Sequence, residues 1–452
     1  MRRPQEEPAT SRLWKSLKEA VRYSLVEPSR QEPGVLLLAL STMFMTMGQG
    51  IISPILPLLV QSFGMTAMMV GFAVSAFALA RAFANIPAGV LTKRFGARFV
   101  LVLGAVFSVV GNLMVALLPN YTALVVFRFV AGLGSAFFIT GAVIFVAAVS
   151  VPANRGPLMA IFQAAFLMGL TLGPSVGGIT ADLFGLASPF FLVAVVSALS
   201  GLWAVAKIPA GVAQIAGEAS GLGGQRQPGG AEGTMGGFSV FRHLGYQAVN
   251  IITAGTFFTR SGALFNLWPL LGKDRFGLGP GPLGLLFTLP SAVNLVFQPF
   301  VGALADRLGR KLLLVPTMFL VAASLLLSAV SPVLGLFALA MVLYGIAQSV
   351  EGPTANAYIA DVAPRNQLAM AMGVNRTIGD VGLVIGSPLL GLIADVAGIP
   401  WGLVANAGVM LVVAVLFAFL AQETVGLRAA PQVGGDSGAA GRGPGQRGDA
   451  DP

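Results

Sequence analysis

Apolar positions in this chain do not alternate with polar ones. They run in uninterrupted stretches, separated by connections that hold nearly all the charge. Many of the stretches approach about twenty residues, enough for a helix to cross a hydrocarbon layer of about 30 Å. In lipid only helices and closed barrels satisfy every backbone group. Barrel strands would show a period of two, so continuous runs predict helices. Twelve spans are expected, over 35–60, 69–91, 99–118, 122–150, 158–181, 189–208, 247–271, 283–304, 312–330, 333–361, 367–396 and 401–421.

One internal connection is long. Residues 209–246 carry Gly-Leu-Gly-Gly, Gln-Pro-Gly-Gly and Met-Gly-Gly, which read as a flexible linker on the cytoplasmic side. It separates a six-span half, 35–208, from a second, 247–421. Residues 1–34 are polar and basic. Leu13, Trp14, Leu17, Val21 and Leu25 recur there near helical spacing between Arg12, Lys15, Lys18 and Arg22, which suggests an amphipathic helix on the inner membrane surface. Residues 422–452 are rich in Gly, Ala and Arg and read as a disordered cytoplasmic tail.

Composition removes several classes. With 56% hydrophobic and 10% charged residues over 452, a soluble multidomain protein is excluded. Cysteine is absent, so disulfides and thiolate metal sites are out, and no metal or other cofactor is expected. The single histidine, His243, lies in a polar connection and supplies no Ser-His-Asp set. No Gly-x-x-x-x-Gly-Lys-Ser/Thr occurs, so ATP is not the expected driving force, and no enzyme is expected. A net charge of +9 could suggest nucleic acid, but its distribution points to the membrane instead. If the N-terminus is cytoplasmic, inner segments hold 21 of the 27 Lys and Arg, Arg155 and Arg365 among them. Outer loops hold only Lys273 and Arg275. That asymmetry places both termini on the cytoplasmic side of the cell membrane. Trp203, Trp268 and Trp401 fall near span ends, where interfacial tryptophans belong.

The chain repeats itself. Gly302-Ala-Leu-Ala-Asp-Arg-Leu-Gly-Arg-Lys311 has a weaker copy at Gly89-Val-Leu-Thr-Lys-Arg-Phe-Gly-Ala-Arg98. Gly89, Leu91, Arg94, Gly96 and Arg98 match Gly302, Leu304, Arg307, Gly309 and Lys311, each pair 213 residues apart. Gly169, Gly173, Gly178, Asp182 and Gly185 match Gly382, Gly386, Gly391, Asp395 and Gly398 at the same offset, and Gly132 matches Gly345. Parallel repeats of six spans are a known transporter architecture, with the substrate site between the halves near the midplane.

On these residues, 35–421 resembles a twelve-helix transporter of the major facilitator superfamily, of the drug/proton antiporter kind. The resemblance implies an all-α integral membrane protein of two pseudo-symmetric six-helix halves. It implies that the 302–311 loop latches the cytoplasmic gate when the protein opens outward. Asp306, Arg307, Arg310 and Lys311 would be latch residues, and Gly302 and Gly309 would permit close helix approach. In the first copy Lys93 stands at the acidic position, so no carboxylate latch can form there. Span five, Gly169-Leu-Thr-Leu-Gly-Pro-Ser-Val-Gly-Gly178, resembles the family's antiporter motif. Gly169, Gly173 and Gly177 form a small-residue stripe, Gly178 follows it, and Pro174 can kink the helix. Arg128-Phe-Val-Ala-Gly-Leu-Gly134 resembles the family's span-four arginine motif, implicated in proton transfer.

Six charges lie inside spans: Arg81, Arg128, Arg260, Glu351, Arg376 and Asp380. A charge at the bilayer centre costs about 2.5–3.5 kcal/mol on insertion scales, so it faces protein or water. Spans three, six, nine and twelve, which the resemblance implies face lipid, carry none inside. Arg376 and Asp380 share a helix face. Depth pairs Glu351 with Arg376 and Arg260 with Asp380, which predicts one polar cluster in the second half. Asp380, then Glu351, is the expected proton-coupling residue; a permanent structural network is the alternative. Four arginines against two acids lean toward anionic or neutral amphiphiles. The sequence therefore predicts proton-coupled efflux of small organic compounds, as in multidrug resistance, by a monomer whose partners are the bilayer, its substrate and protons, with no nucleic acid. A symporter or facilitator of a small metabolite and a non-transporting sensor or scaffold are the alternatives.

Overall fold

The computed structural model describes residues 33–150, 154–208, 239–364 and 367–424. The expected amphipathic segment, most of the linker and most of the C-terminal tail lie outside them. Helix α1 comes in two pieces, α1a Pro33–Ile52 and α1b Ile55–Ser62. Then follow α2 Ala67–Phe95, α3 Ala97–Leu117, α4 Tyr121–Val149, α5 Arg155–Phe184 and α6 Ser188–Lys207. A short 3₁₀ turn, Ser239–Arg242, leads into the second half. Helix α7 is composite: α7a Leu244–Thr259, a π-helical stretch Arg260–Leu267, and α7b Trp268–Phe276. The remainder are α8 Pro280–Leu308, α9 Arg310–Val330, α10 Leu334–Val362, α11 Leu368–Ala397 and α12 Ile399–Leu420.

Eleven of these helices are each long and apolar enough to cross a membrane. The expected seventh span is the exception, because its helix is divided by the π-helical stretch. Span one is also interrupted, at Ser53 and Pro54. Proline has no amide to continue the ladder, and the Ser53 hydroxyl instead donates to the Gly50 carbonyl.

The halves repeat each other in packing as well as in sequence. In the first, α1 packs on α5, α2 and α3 on α4, and α3 on α6; in the second, α7 packs on α11, α8 and α9 on α10, and α9 on α12. Four glycines with positive φ separate paired helices: Gly96 (85°), Gly185 (89°), Gly309 (105°) and Gly398 (98°). They form two pairs 213 residues apart. Each lets the chain leave one helix and enter the next in a conformation that a side chain disfavours.

The halves meet mainly through α2 against α11 and α5 against α8. The close contacts cluster at the end of the bundle away from the two termini. A Cβ on Gly71 would enter the backbone of Ser387 and Pro388, and one on Gly391 the backbone of Ala67. On the other seam, Gly178 faces Pro280 and Gly284, and Gly284 faces the Pro174 carbonyl. Ser75 Oγ donates to the Val384 carbonyl, and Ser175 and Thr288 share a hydroxyl hydrogen bond. Gly71 and Gly284, like Ser75 and Thr288, are again 213 apart.

A carboxylate stands at the start of a partner helix on each seam. Asp395 accepts from the amides of Ala67 (2.8 Å) and Met68 (2.9 Å), capping α2 across the interface. Its repeat mate Asp182 lies against Gly279 and Gly281 at the start of α8. A carboxylate is favoured there by exposed amides and the helix dipole. Asp395→Ala is expected to weaken closure of this far end by about 1 kcal/mol, the usual worth of such a cap. Faster maleimide labelling of Ser75→Cys, in a chain without native cysteine, measures it.

The termini end is different. Among the described residues, nothing lies within 4 Å of a Cβ on Gly89 or Gly302. The expectation that Gly302 permits close helix approach is therefore not met here, because the halves part at this end. Gly309 does meet a crowded site: a Cβ would sit 2.6 Å from a Glu423 carboxylate oxygen. Glu423 accepts from the amides of Arg310 (2.8 Å), Lys311 (3.1 Å) and Leu312 (3.2 Å), capping α9. Asp306 bonds Arg310 at 2.6 Å, and Arg310 also reaches Asp361 at 3.3 Å. Asp306, Arg310 and Asp361 belong to the second half, and Glu423 follows directly after it. Trp268 corrects a further expectation. It is 0% exposed rather than interfacial, edge-on to Phe337 and Tyr344, and donates to Ser328. Trp401 is exposed, as expected of a span end.

Candidate substrate cavity

Between the halves, at mid-depth, lie two joined cavities that share Phe166, Leu170, Phe257, Arg260, Gln348 and Arg376 on their walls. The first takes Arg81 from α2 and Arg128 from α4, with Gln49, Ser53 and Leu56 from the interrupted helix α1. The second adds Glu351 and Asn356 from α10 and Asn375 from α11. It lies toward the end where Gly89 and Gly302 face open space.

Aromatic rings hold the guanidinium groups. Arg128 lies 4.4 Å from the Phe77 ring centre, Arg376 lies 5.3 Å from Phe257, and Arg260 lies 5.7 Å from Phe265. Such stacking favours a cation where water is scarce. Glu351 is 4% exposed, Oε1 has no hydrogen-bond partner among the described residues, and Arg260 is its nearby opposite charge. Asp380 is 3% exposed and sits 3.9 Å from Arg376 Nε. Arg260, Glu351 and Arg376 thus share one cavity wall, with Asp380 behind it. Arg81, expected only as a first-half charge, also lies close enough to sense Arg376, Asp380 and Arg260 across the interface.

The antiporter-like stretch divides by direction. Gly169 faces the Met43 carbonyl and Thr46 hydroxyl, Gly173 faces Gly50, and Gly177 faces Ile51, all on α1 within one half. Gly178 faces α8 in the other half, and Pro174 reaches the cavity wall. Gly177→Val would force side-chain atoms into the Ile51 backbone, and overpacking of this kind costs about 3 kcal/mol. The expected result is a lower melting temperature and reduced yield of folded chain, read by thermal unfolding in detergent.

The uncharged wall was not legible beforehand. Gln348, Ser291, Asn294 and Asn375 are polar residues within apolar runs, and that was the available signal. Asn375 is fixed by donating to Asn250 (2.8 Å) and Thr253 (2.9 Å). Asn266, in the π-helical stretch, donates to the carbonyls of Ala67 and Ser387 and ties α7 to both sides of the far seam.

Two repeated six-helix units around a charged central cavity, closed at one end and parted at the other, define a multi-pass membrane transporter. The chain belongs to the major facilitator superfamily, whose family model matches residues 38–245 and 249–441. It is 25% identical over 368 residues to an uncharacterized MFS-type transporter of Methanocaldococcus jannaschii, covering 81% of this chain and 93% of that one. It is 24% identical over 374 residues to multidrug resistance protein 2 of Bacillus subtilis, covering 81% and 90%. Among solved structures, a D-xylose-proton symporter superposes with a TM-score of 0.69 at 16% identity, over 86% of this chain and 98% of the other.

Proposed function

We propose that this chain is a secondary active transporter that exports small organic compounds in exchange for protons, by alternating access. The observation that carries the reading is the asymmetry of the interface. Glycine-lined seams are shut at the far end, while the termini end parts around buried charge. Rocking of one half on the other would move the opening to the opposite side of a fixed site. With the termini cytoplasmic in the cell membrane, as the Lys and Arg distribution favours, this is the inward-open state. The parted state leaves the Asp306 loop bonded within its own half. Export is supported by the α5 glycine–proline stretch and by the relative's printed role in multidrug resistance. The cavity is enclosed by one chain, which suits a monomer.

Proton coupling falls to Glu351, with Asp380 second. Glu351 lines the open cavity and has an unbonded oxygen, whereas Asp380 is held by Arg376. The test is substrate-induced proton movement in inside-out vesicles, across anionic, neutral and cationic amphiphiles. Proton movement out of the lumen on adding a substrate is expected. Movement into the lumen together with the substrate would make the protein a symporter and overturn export by exchange.

A further inference from the structure

The upper cavity, where the two halves meet, has a one-sided wall. Its charged lining residues are Arg81, Arg128, Arg260 and Arg376, two from each half, and no Asp or Glu stands among the residues that line it. Among the described residues, only Arg376 of these four has a carboxylate oxygen within 4 Å, that of Asp380 at 3.9 Å, and Asp380 sits behind the wall. Glu351 lines the adjoining cavity instead. Arg81 and Arg128 make no ion pair among the described residues. Arg128 is only 8% exposed, yet its Nε has no hydrogen-bond partner among the described residues.

A buried guanidinium without a counter-charge is expensive, and so is one with unused donors. Phe77 offsets part of that for Arg128 through its ring face, but a ring cannot accept the in-plane N–H bonds. Such in-plane donors suit a planar or tetrahedral oxyanion, which guanidinium forks bind in parallel pairs. The rest of the wall mixes the uncharged polar Gln49, Ser53, Ser291 and Gln348 with an apolar part, where Phe166, Phe287 and Leu264 lie beside the stacked rings. A ligand that suits both parts has an anionic head and a ring-sized apolar body.

We infer that the substrate is an amphiphilic organic anion, its head bound by Arg81 and Arg128 and its body lying against the phenylalanines. This rests on reading the same cavity as the transport site, and it names the chemical class that site takes. The lean toward anionic or neutral compounds thereby narrows to anions.

The test compares three probes with one ring system: 2-naphthoate, 2-naphthylmethanol and 2-naphthylmethylammonium. Each is titrated into the full chain in nanodiscs by calorimetry. The anion is expected to bind at least about tenfold more tightly than the alcohol, the worth of one charge-assisted hydrogen bond. Arg128→Gln is expected to erase that advantage, bringing the anion to no tighter binding than the alcohol. If Arg128→Gln fails to fold, Arg81→Gln, which is only half-buried, carries the same test. Equal binding of all three probes, preference for the ammonium compound, or no binding of the anion overturns the inference. Flux in proteoliposomes separates it from the transporter reading. Anion binding without flux would sink transport and keep the anion site, and flux of the ammonium probe alone would do the reverse.

Discussion

Gly284→Leu is expected to abolish transport while leaving each half folded. At this position α8 touches α5 backbone to backbone: an added Cβ would meet the Pro174 carbonyl and lie 2.8 Å from the Gly178 Cα. These contacts join the halves and do not build either one, so a leucine holds the far seam apart without opening a core. Small residues at helix crossings permit this approach, and nothing larger fits. The expected readings are native helicity, loss of flux, and a Ser75→Cys thiol on the opposite seam that passes from protected to fully labelled by a membrane-impermeant maleimide. Retained flux would show that the seam need not close. Gly177→Val is the contrasting case, because its clash lies within one half and acts on stability.

The second large effect is at Glu351. Glu351→Gln is expected to abolish transport driven by a pH gradient while substrate counterflow, which needs no net proton movement, persists in the same vesicles. The side chain is buried on the wall of the open cavity, with one oxygen unbonded and Arg260 as its neighbour. A carboxyl on this wall exchanges its proton through the cavity, so the side to which the cavity opens decides where that proton goes. Full gradient-driven transport by the variant, with loss in Asp380→Asn, would return the role to Asp380.

The sequence carried the span pattern because a chain in lipid hides its backbone in helices or a closed barrel, and continuous apolar runs select helices. It also carried the duplication, and part of the interface with it. Asp182, Asp395, Gly178 and Gly391 stood out at the common offset, and the structure puts all four on the far seams. Gly71 and Gly284 obey the same offset, but a glycine in an apolar run is too common to notice without its neighbour. The interruption of α1 had a visible cause in Pro54. The π-helical stretch of α7 had none, since it is fixed by tertiary bonds such as those of Asn266. Helix depth placed Arg260, Glu351 and Arg376 together, because rise per residue is a property of one helix. It could not place Arg81 near them, since that depends on how two halves lean. Nor could it foresee Gly302 in open space, because a sequence specifies every state of the cycle and a structure holds one.

The cap that Glu423 places on α9 sets a practical limit on trimming the chain. A fragment ending after Thr424 keeps the acceptor for the amides of Arg310, Lys311 and Leu312, and keeps the Thr424 hydroxyl on Asp361. A fragment ending at Leu420 removes both, along with the Gln422 carbonyl that accepts from Tyr358. The hydropathy profile of the twelfth span would judge both fragments complete. Only the longer one holds the 302–311 loop in its place.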